Sequence, residues 1–221
     1  MNSVTIAFDA ILFDLDGTLY DSAPDLAACA NRLRTRRSMP PLQLHHLRPF
    51  AGQGARGLIK ASLGISADHP DYKSIEKEFL NDYEAHCLSA SGLFAGVTQT
   101  LNRLKELSLP WGIVTNKHAR FVIPILKATG LHDSCSCLVC GDAPGAPKPS
   151  PEHLLLALET LHTDPARTLY VGDDERDAQA ARAAGMPFAA ACYGYLGQEP
   201  DITRWQAQLQ LASLHDLLNH L

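Results

Sequence analysis

The chain has 221 residues, 46% of them hydrophobic, with a mean hydropathy of -0.09; it can bury one sizeable core as a soluble globular domain, or as one domain carrying an insertion. A net charge of -5 and a pI near 6.0 argue against nucleic acid or an anionic membrane as partner, although Arg32, Arg34, Arg36 and Arg37 form a local cluster able to attract a small anion. The start, MNSVTIAFDA, lacks a basic segment leading into a long apolar one, and no run of about 18 apolar residues occurs, so the expected location is the cytoplasm.

In chain order, short apolar strands are predicted at 10–15, 111–115, 137–140, 168–172 and 188–191, with helices near 97–108, 119–129, 151–162 and 176–184 between them. That alternation is the pattern of a doubly wound parallel α/β sheet. The interval 22–88 breaks it, being rich in helix formers and interrupted at Pro40-Pro41, Gly52 to Gly57 and His69-Pro70. Residues 1–21 and 89–221 are therefore expected to form the core, and 22–88 an inserted helical unit. No internal repeat or low-complexity tract is present.

The six cysteines are too few and too unevenly placed for a disulfide framework, and are expected to be free thiols. His132, Cys135, Cys137 and Cys140 have spacings that zinc would tolerate. Read as a strand, however, SCSCLVCG turns Cys135 and Cys137 one way and Cys140 the other, which spoils tetrahedral convergence.

Ligands of open α/β sheets bind beyond the carboxyl ends of the strands, and four of these ends carry chemistry. The first leads into Asp14-Leu15-Asp16-Gly17-Thr18, the second into Thr115-Asn116-Lys117, a proline-flanked Lys148 follows the third, and the fourth leads into Asp173-Asp174. Carboxylates at i and i+2 of an extended segment, Asp14 and Asp16, point to one side and repel. Clustered oxygen ligands with no nearby His or Cys suit a hard divalent cation, usually Mg2+ shared with substrate phosphate, and such an ion relieves that repulsion. The ion and Lys148 would neutralise a phosphoryl group while Thr115 and backbone amides bind its other oxygens. One aspartate, ionised at neutral pH, is then free to attack phosphorus.

The segments DLDGT (14–18), TN (115–116), KPSP (148–151) and GDDERD (172–177), in this order, resemble the four motifs of the haloacid dehalogenase-like superfamily across nearly the whole chain. The resemblance implies a Rossmann-like core with a small helical cap inserted after the first motif, Mg2+ as cofactor, and a small phosphorylated metabolite as substrate of a monomer or homodimer. It implies Asp14 as the nucleophile that becomes an aspartyl-phosphate, and Asp16 as the acid that protonates the leaving oxygen and then activates water. Asp14, the backbone carbonyl of Asp16, and Asp173 correspond to the metal ligands. Thr115, with Asn116 beside it, and Lys148 correspond to the phosphate-binding set. Asp177 supports the metal from outside its ligands, with Asp174 the alternative. Asp16 argues against a dehalogenase, since a departing halide needs no proton. Sugar-phosphate phosphomutases keep both aspartates and stand as the alternative; a non-catalytic phospho-ligand-binding regulator is more remote, because such a chain should have lost one of them.

The loop Ala51-Gly52-Gln53-Gly54-Ala55-Arg56-Gly57 resembles the cap loop of phosphoglycolate phosphatases, and Arg56 offers a planar fork for a substrate carboxylate. The competing reading of Arg56 is a surface arginine. RTRRSMPPL at 34–42, GQGARGL, VTNK at 114–117 and Tyr193-Gly194-Tyr195 most closely resemble the N-acetylmuramic acid 6-phosphate phosphatase branch. Both substrates carry a carboxylate, so Arg56 does not choose between them. Tyr193 and Tyr195 either stack on a sugar ring or pack on the core. Lys117, His118 and Arg120 face substrate or solvent.

Overall fold

Four fully buried residues, Ala10–Phe13, form strand β1 of a computed structural model that describes residues 8–198 and 200–221. A strand covered on both faces reads as an unbroken apolar run. Here Ile11 and Phe13 enter one hydrophobic cluster and Leu12 another on the opposite face of the sheet. The chain continues through β2 (Tyr20–Asp21), helices α1 (Ala23–Arg36) and α2 (Leu44–Leu47), a 3-10 turn at Arg48–Gln53, α3 (Gly54–Leu63), α4 (Tyr72–His86) and β3 (Gly92–Leu93). After it come α5 (Val97–Glu106), β4 (Trp111–Val114), α6 (Ala119–Ala128), β5 (Cys137–Val139), α7 (Glu152–Leu161), β6 (Thr168–Gly172), α8 (Glu175–Ala183), β7 (Phe188–Ala191) and β8 (Leu209–Leu211).

Six strands pair in the order β5-β4-β1-β6-β7-β8, every pair parallel. From β1 the chain builds outward through β4 and β5, then crosses back to build through β6, β7 and β8 on the other side. The order therefore reverses at β1, and the crevice above its carboxyl end is the ligand position of such sheets. Among the described residues no helix is long and apolar enough to cross a membrane.

The strands end slightly earlier than their apolar runs suggest, β1 at Phe13, β4 at Val114 and β5 at Val139. Asp14 and Thr115 still donate one ladder bond each, to Val171 O at 2.9 Å and Val139 O at 3.0 Å, before the chain turns away. The two-residue strands β2 and β3 and the three-residue β8 are too short to leave a periodic signal. The expected loop at Gly52 to Gly57 is wound up instead: the 3-10 turn runs to Gln53 and α3 starts at Gly54, whose φ of 59° makes the change of direction.

Helices α1 to α4 bury their own cluster, centred on Leu33, Leu47, Leu58, Ile59 and Phe79, to which Phe121 and Tyr195 also belong. The arginines of α1 are occupied in holding this layer, not open to an anion. Arg32 and Arg36 pair with Asp82 at 2.6 and 2.7 Å, and Arg36 and Arg37 with Glu78 at 3.0 and 2.6 Å. Arg34 is buried on the carbonyls of Pro40 and Ser62. All six cysteines are free. Cys135 lies ahead of β5 and packs with Cys140 on one face while Cys137 turns to the other, so the expected pairing of Cys135 with Cys137 does not hold, because the alternation begins only at 137.

Both chain crossings between the sheet and the helical layer run side by side, β2 pairing antiparallel with β3 through Tyr20–Leu93 and Asp21–Gly92. Arg48 ties the helical layer to this point, its Nη1 lying 2.9 Å from Asp21 Oδ2. The buried Asp25 carboxylate accepts the backbone N–H groups of Ser89, Ala90 and Ser91 at 3.1, 2.8 and 3.2 Å, fixing the returning chain. Asp25→Ala should lower the unfolding free energy by about 1–3 kcal/mol, the scale for hydrogen bonds to a charged acceptor. Urea denaturation measures this, and Asp25→Asn, which keeps one acceptor oxygen, should recover part of it.

Candidate active site

β1, β4 and β6 end together, so the residues that follow them meet in one place. Asp14, Asp173 and Asp177 are buried, and each brings a carboxylate oxygen within 4.8 Å of the others'. Three anions this close, out of water, repel strongly and lose their hydration. Burial pushes Asp14 up to about 6, with Asp177 and Asp16 adding to the shift against the pull of Lys148. Asp173 is pushed well above the usual carboxylate range, by burial first and then by Asp14 and Asp177.

Lys148 answers part of this charge. Its Nζ lies 2.9 Å from Asp14 Oδ1 and 2.7 Å from Asp177 Oδ1, and it also bonds Tyr170 Oη (2.8 Å) and Val114 O (3.1 Å). Burial works against the ammonium charge, but the two aspartates outweigh it and hold its pKa above the ordinary lysine value. Asp173 is fixed by Thr18 Oγ1 at 3.1 Å and by the backbone N–H of Tyr195 at 2.8 Å. Gly17, at φ 88°, lies so close that an added Cβ would sit 2.1 Å from Asp173 Oδ2, so glycine is required there on both counts.

Three carboxylates against one lysine leave net negative charge, and among the described residues no donor is aligned on Asp14 Oδ1 for a hydrogen bond although Lys148 lies within ion-pair distance. All the donors are oxygens. This set fits a hard divalent cation, and Asp14, Asp173 and Asp177 are the residues that would hold it. Asp16 turns its carboxylate away onto Lys117, whose Nζ is 2.9 Å from Oδ1 and 3.1 Å from Oδ2. Any part residue 16 plays toward a cation therefore rests on its backbone carbonyl. The repulsion between Asp14 and Asp16 is met by two lysines as well, one for each.

A cavity of about 310 Å3 opens above these groups, and Asp14, Asp16, Thr115, Asn116, Lys148, Asp173, Asp174 and Asp177 all line it. Thr115 is buried, and its Oγ1 accepts the Lys117 backbone N–H at 3.2 Å. Asn116, expected on phosphate, has its side chain committed elsewhere: Nδ2 donates to Lys148 O and Oδ1 accepts Lys148 N–H, both at 2.9 Å, which fixes the lysine's backbone. Asp174 and Asp177 part company. Asp174 caps α8 and pairs with Arg176 at 2.8 Å, whereas Asp177 closes the reciprocal cap with Oδ2 and keeps Oδ1 on Lys148.

Arg56 is not brought to this site. It is exposed, lies off the cavity wall, and its charge acts on Tyr72 of α4. Winding the loop into α3 leaves Gly54 and Ala55 on the cavity, Leu58 and Ile59 in the core, and Arg56 outside. Tyr193 and Tyr195 are packing residues rather than a sugar platform. Both rings pack against Phe94, Tyr193 edge-on and Tyr195 tilted; Tyr193 Oη donates to Thr18 O (2.8 Å), and Tyr195 Oη accepts the Ser22 and Ala23 N–H groups (2.8 and 3.0 Å). Lys117 and His118 line the cavity; Arg120 lies off it, 3.6 Å from Glu84. Sequence reasoning passes over Tyr83, Tyr170 and Arg176. Only Arg176 left a signal there, a cation inside the acidic segment 172–177.

A model of the family described as haloacid dehalogenase-like hydrolase matches residues 11–191. The chain belongs to this family. The hydrolase is 38% identical over 212 residues to the N-acetylmuramic acid 6-phosphate phosphatase of Pseudomonas aeruginosa, covering 96% of this chain and 94% of that one. It is 41% identical over 200 residues to the phosphoglycolate phosphatase of Xanthomonas campestris, covering 90% of each. Among solved structures, one described as a predicted phosphoglycolate phosphatase from Haemophilus somnus superposes with a TM-score of 0.85 at 28% identity, over 96% of this chain and 97% of that one.

The carboxylate cluster should make the hydrolase's stability depend on pH and on cations together. With a folded-state value near 6 against 3.8 unfolded, Asp14 keeps a proton in the folded chain where the unfolded chain has lost it. Chelated protein therefore loses stability from this group as pH rises through that window. The Tm increment given by a fixed excess of Mg2+ should be small near pH 5 and grow toward pH 7.5, measured by differential scanning calorimetry. Asp14→Asn should flatten that dependence.

Proposed function

We propose that this hydrolase is a Mg2+-dependent phosphatase acting on a carboxylate-bearing sugar phosphate of the N-acetylmuramic acid 6-phosphate kind rather than on phosphoglycolate. The observation that carries the choice is the apolar part of the cavity wall, to which Leu26, Phe79, Leu80 and Phe121 contribute. Glycolate has a single methylene to set against that wall. An N-acetylated sugar with a lactyl ether brings ring faces and two methyl groups, and burying them is favourable by about 0.8 kcal/mol per methylene equivalent. The relatives named above include phosphatases of both substrates.

In this reading residues 22–88 serve as a cap over the core, and the cap supplies the apolar wall. Asp14 attacks phosphorus and becomes phosphorylated, and Asp16 protonates the departing oxygen, then takes the proton of the attacking water. Lys148 holds Asp14 in line and neutralises a phosphoryl oxygen, and Thr115 with adjacent backbone amides binds the others. A bound Mg2+ would supply charge neutralisation for the phosphoryl group and the carboxylates together. Free thiols throughout accord with a reducing compartment such as the cytoplasm.

A screen of phosphorylated metabolites with Mg2+ tests this, with release of inorganic phosphate as the readout. N-acetylmuramic acid 6-phosphate should exceed phosphoglycolate in kcat/KM, and Asp14→Asn should remove turnover of both by several orders of magnitude. Interconversion of glucose 1-phosphate and glucose 6-phosphate without phosphate release would show a mutase instead. Leu80→Ser, at a half-buried wall position, should cut kcat/KM for the sugar about tenfold, the scale of a lost apolar pocket contact, and leave phosphoglycolate little changed. Equal loss on both substrates would overturn the assignment of the wall.

A further inference from the structure

One partly buried chain of polar groups crosses from helix α4 to the segment after β1. Lys117 Nζ donates to Tyr83 Oη at 2.8 Å, and the same ammonium holds both oxygens of Asp16, at 2.9 and 3.1 Å. The Lys117 side chain is 9% exposed and Asp16 18%, so water screens the pair little. The ammonium also sits 4.8 Å from the centre of the Tyr83 ring, and that ring packs against Phe121 at 5.5 Å. A lysine beside a cavity has a long flexible stem; here its head is held from two sides, one in the core and one in the cap.

We infer that Tyr83 and Lys117 are positioning residues that fix Asp16, from the cap side, as the proton acceptor for the water that hydrolyses phosphorylated Asp14. The inference rests on the roles of Asp14 and Asp16 proposed above. With both oxygens held by the Lys117 ammonium, the Asp16 side chain is fixed in one direction, which is what the second half of the reaction requires of a proton acceptor. In the first half, Asp14 forms its bond to phosphorus, the bond to the leaving oxygen breaks, and that oxygen takes the proton of Asp16. The carboxylate left behind is the one Lys117 grips. In the second half, water oxygen bonds phosphorus, the bond to Asp14 breaks with its electron pair returning to that carboxylate, and the water proton passes to Asp16. Orientation of a general base governs this step, since proton transfer needs the acceptor within hydrogen-bond reach of the water. Tyr83 is the member of the strut that belongs to the cap, so the aim of Asp16 depends on where α4 lies.

Pre-steady-state kinetics with p-nitrophenyl phosphate and Mg2+ separate the two halves, because nitrophenolate leaves with little need of a proton. Tyr83→Phe keeps the ring and removes one oxygen. It should lower steady-state turnover about tenfold after a burst of nitrophenolate approaching one per active site, with acid-quenched protein carrying one phosphoryl group by mass spectrometry. Lys117→Met should deepen the loss to about a hundredfold, the lower end of the contribution of a general base, and Lys117→Arg should recover part of it. A misfolded variant loses sites and cannot create a burst. If Tyr83→Phe and Lys117→Met slow the enzyme without accumulating phosphoprotein while Asp16→Asn accumulates it, the strut has no part in the second half and the inference is overturned. Parent-like kinetics in both variants overturn it equally. If no variant, Asp16→Asn included, is ever phosphorylated, the covalent reading of Asp14 fails and the inference falls with it.

Discussion

Everything around the carboxyl end of β1 is arranged to keep Asp14, Asp173 and Asp177 buried within 4.8 Å of one another. Taken alone, that arrangement is unfavourable, because burial and mutual repulsion act in the same direction on each group. The surroundings offset it with fixed partners: Lys148 between Asp14 and Asp177, the Tyr195 amide and Thr18 hydroxyl on Asp173, and a glycine where a Cβ would collide. Asn116 in turn holds the backbone of Lys148 from both sides. What remains is excess negative charge in a preorganised oxygen cage, which is the condition for binding a hard cation.

Chemistry and selectivity are assigned to different parts of the chain. The charged groups of the cavity floor follow β1, β4, β5 and β6, strands whose parallel hydrogen bonding leaves those next to them little freedom. The apolar wall comes mainly from α1 and α4, helices with a hydrophobic cluster of their own. Lys117 and Arg176 lie on the boundary, each bonded to a core aspartate and to a group on the helical side, Tyr83 Oη and Gly52 O respectively. The helical layer and the carboxylate site are thus joined through two side chains.

The sheet is readable in the sequence because strands covered on both faces are unbroken apolar runs, and the place of the site is readable because carboxylates directly after such runs have few structural reasons to be there. Asp14, Asp16, Thr115, Lys148, Asp173 and Asp177 come together as that pattern suggests. Arg56 does not, since its argument depended on a loop that forms the first turn of a helix and turns the side chain outward. Lys117 was ambiguous for another reason. A lysine after a strand normally points to water, and its burial depends on Tyr83, 34 residues away and on a helix whose docking no local pattern reports. Tyr193 and Tyr195 show the same limit from the other side, since Phe94 and the Ser22 and Ala23 amides decide that they pack.

The pairing of β2 with β3 has a consequence for how such a protein changes over time. Because the chain leaves the sheet and returns to it at adjacent, hydrogen-bonded positions, the core closes the same short loop whatever lies between Asp21 and Gly92. An excursion of any length between those residues adds almost no closure cost to the sheet. Segments joined at such neighbouring points tolerate replacement and insertion well. The excursion can be exchanged, lengthened or reshaped while the sheet and the carboxylates at its strand ends stay in register.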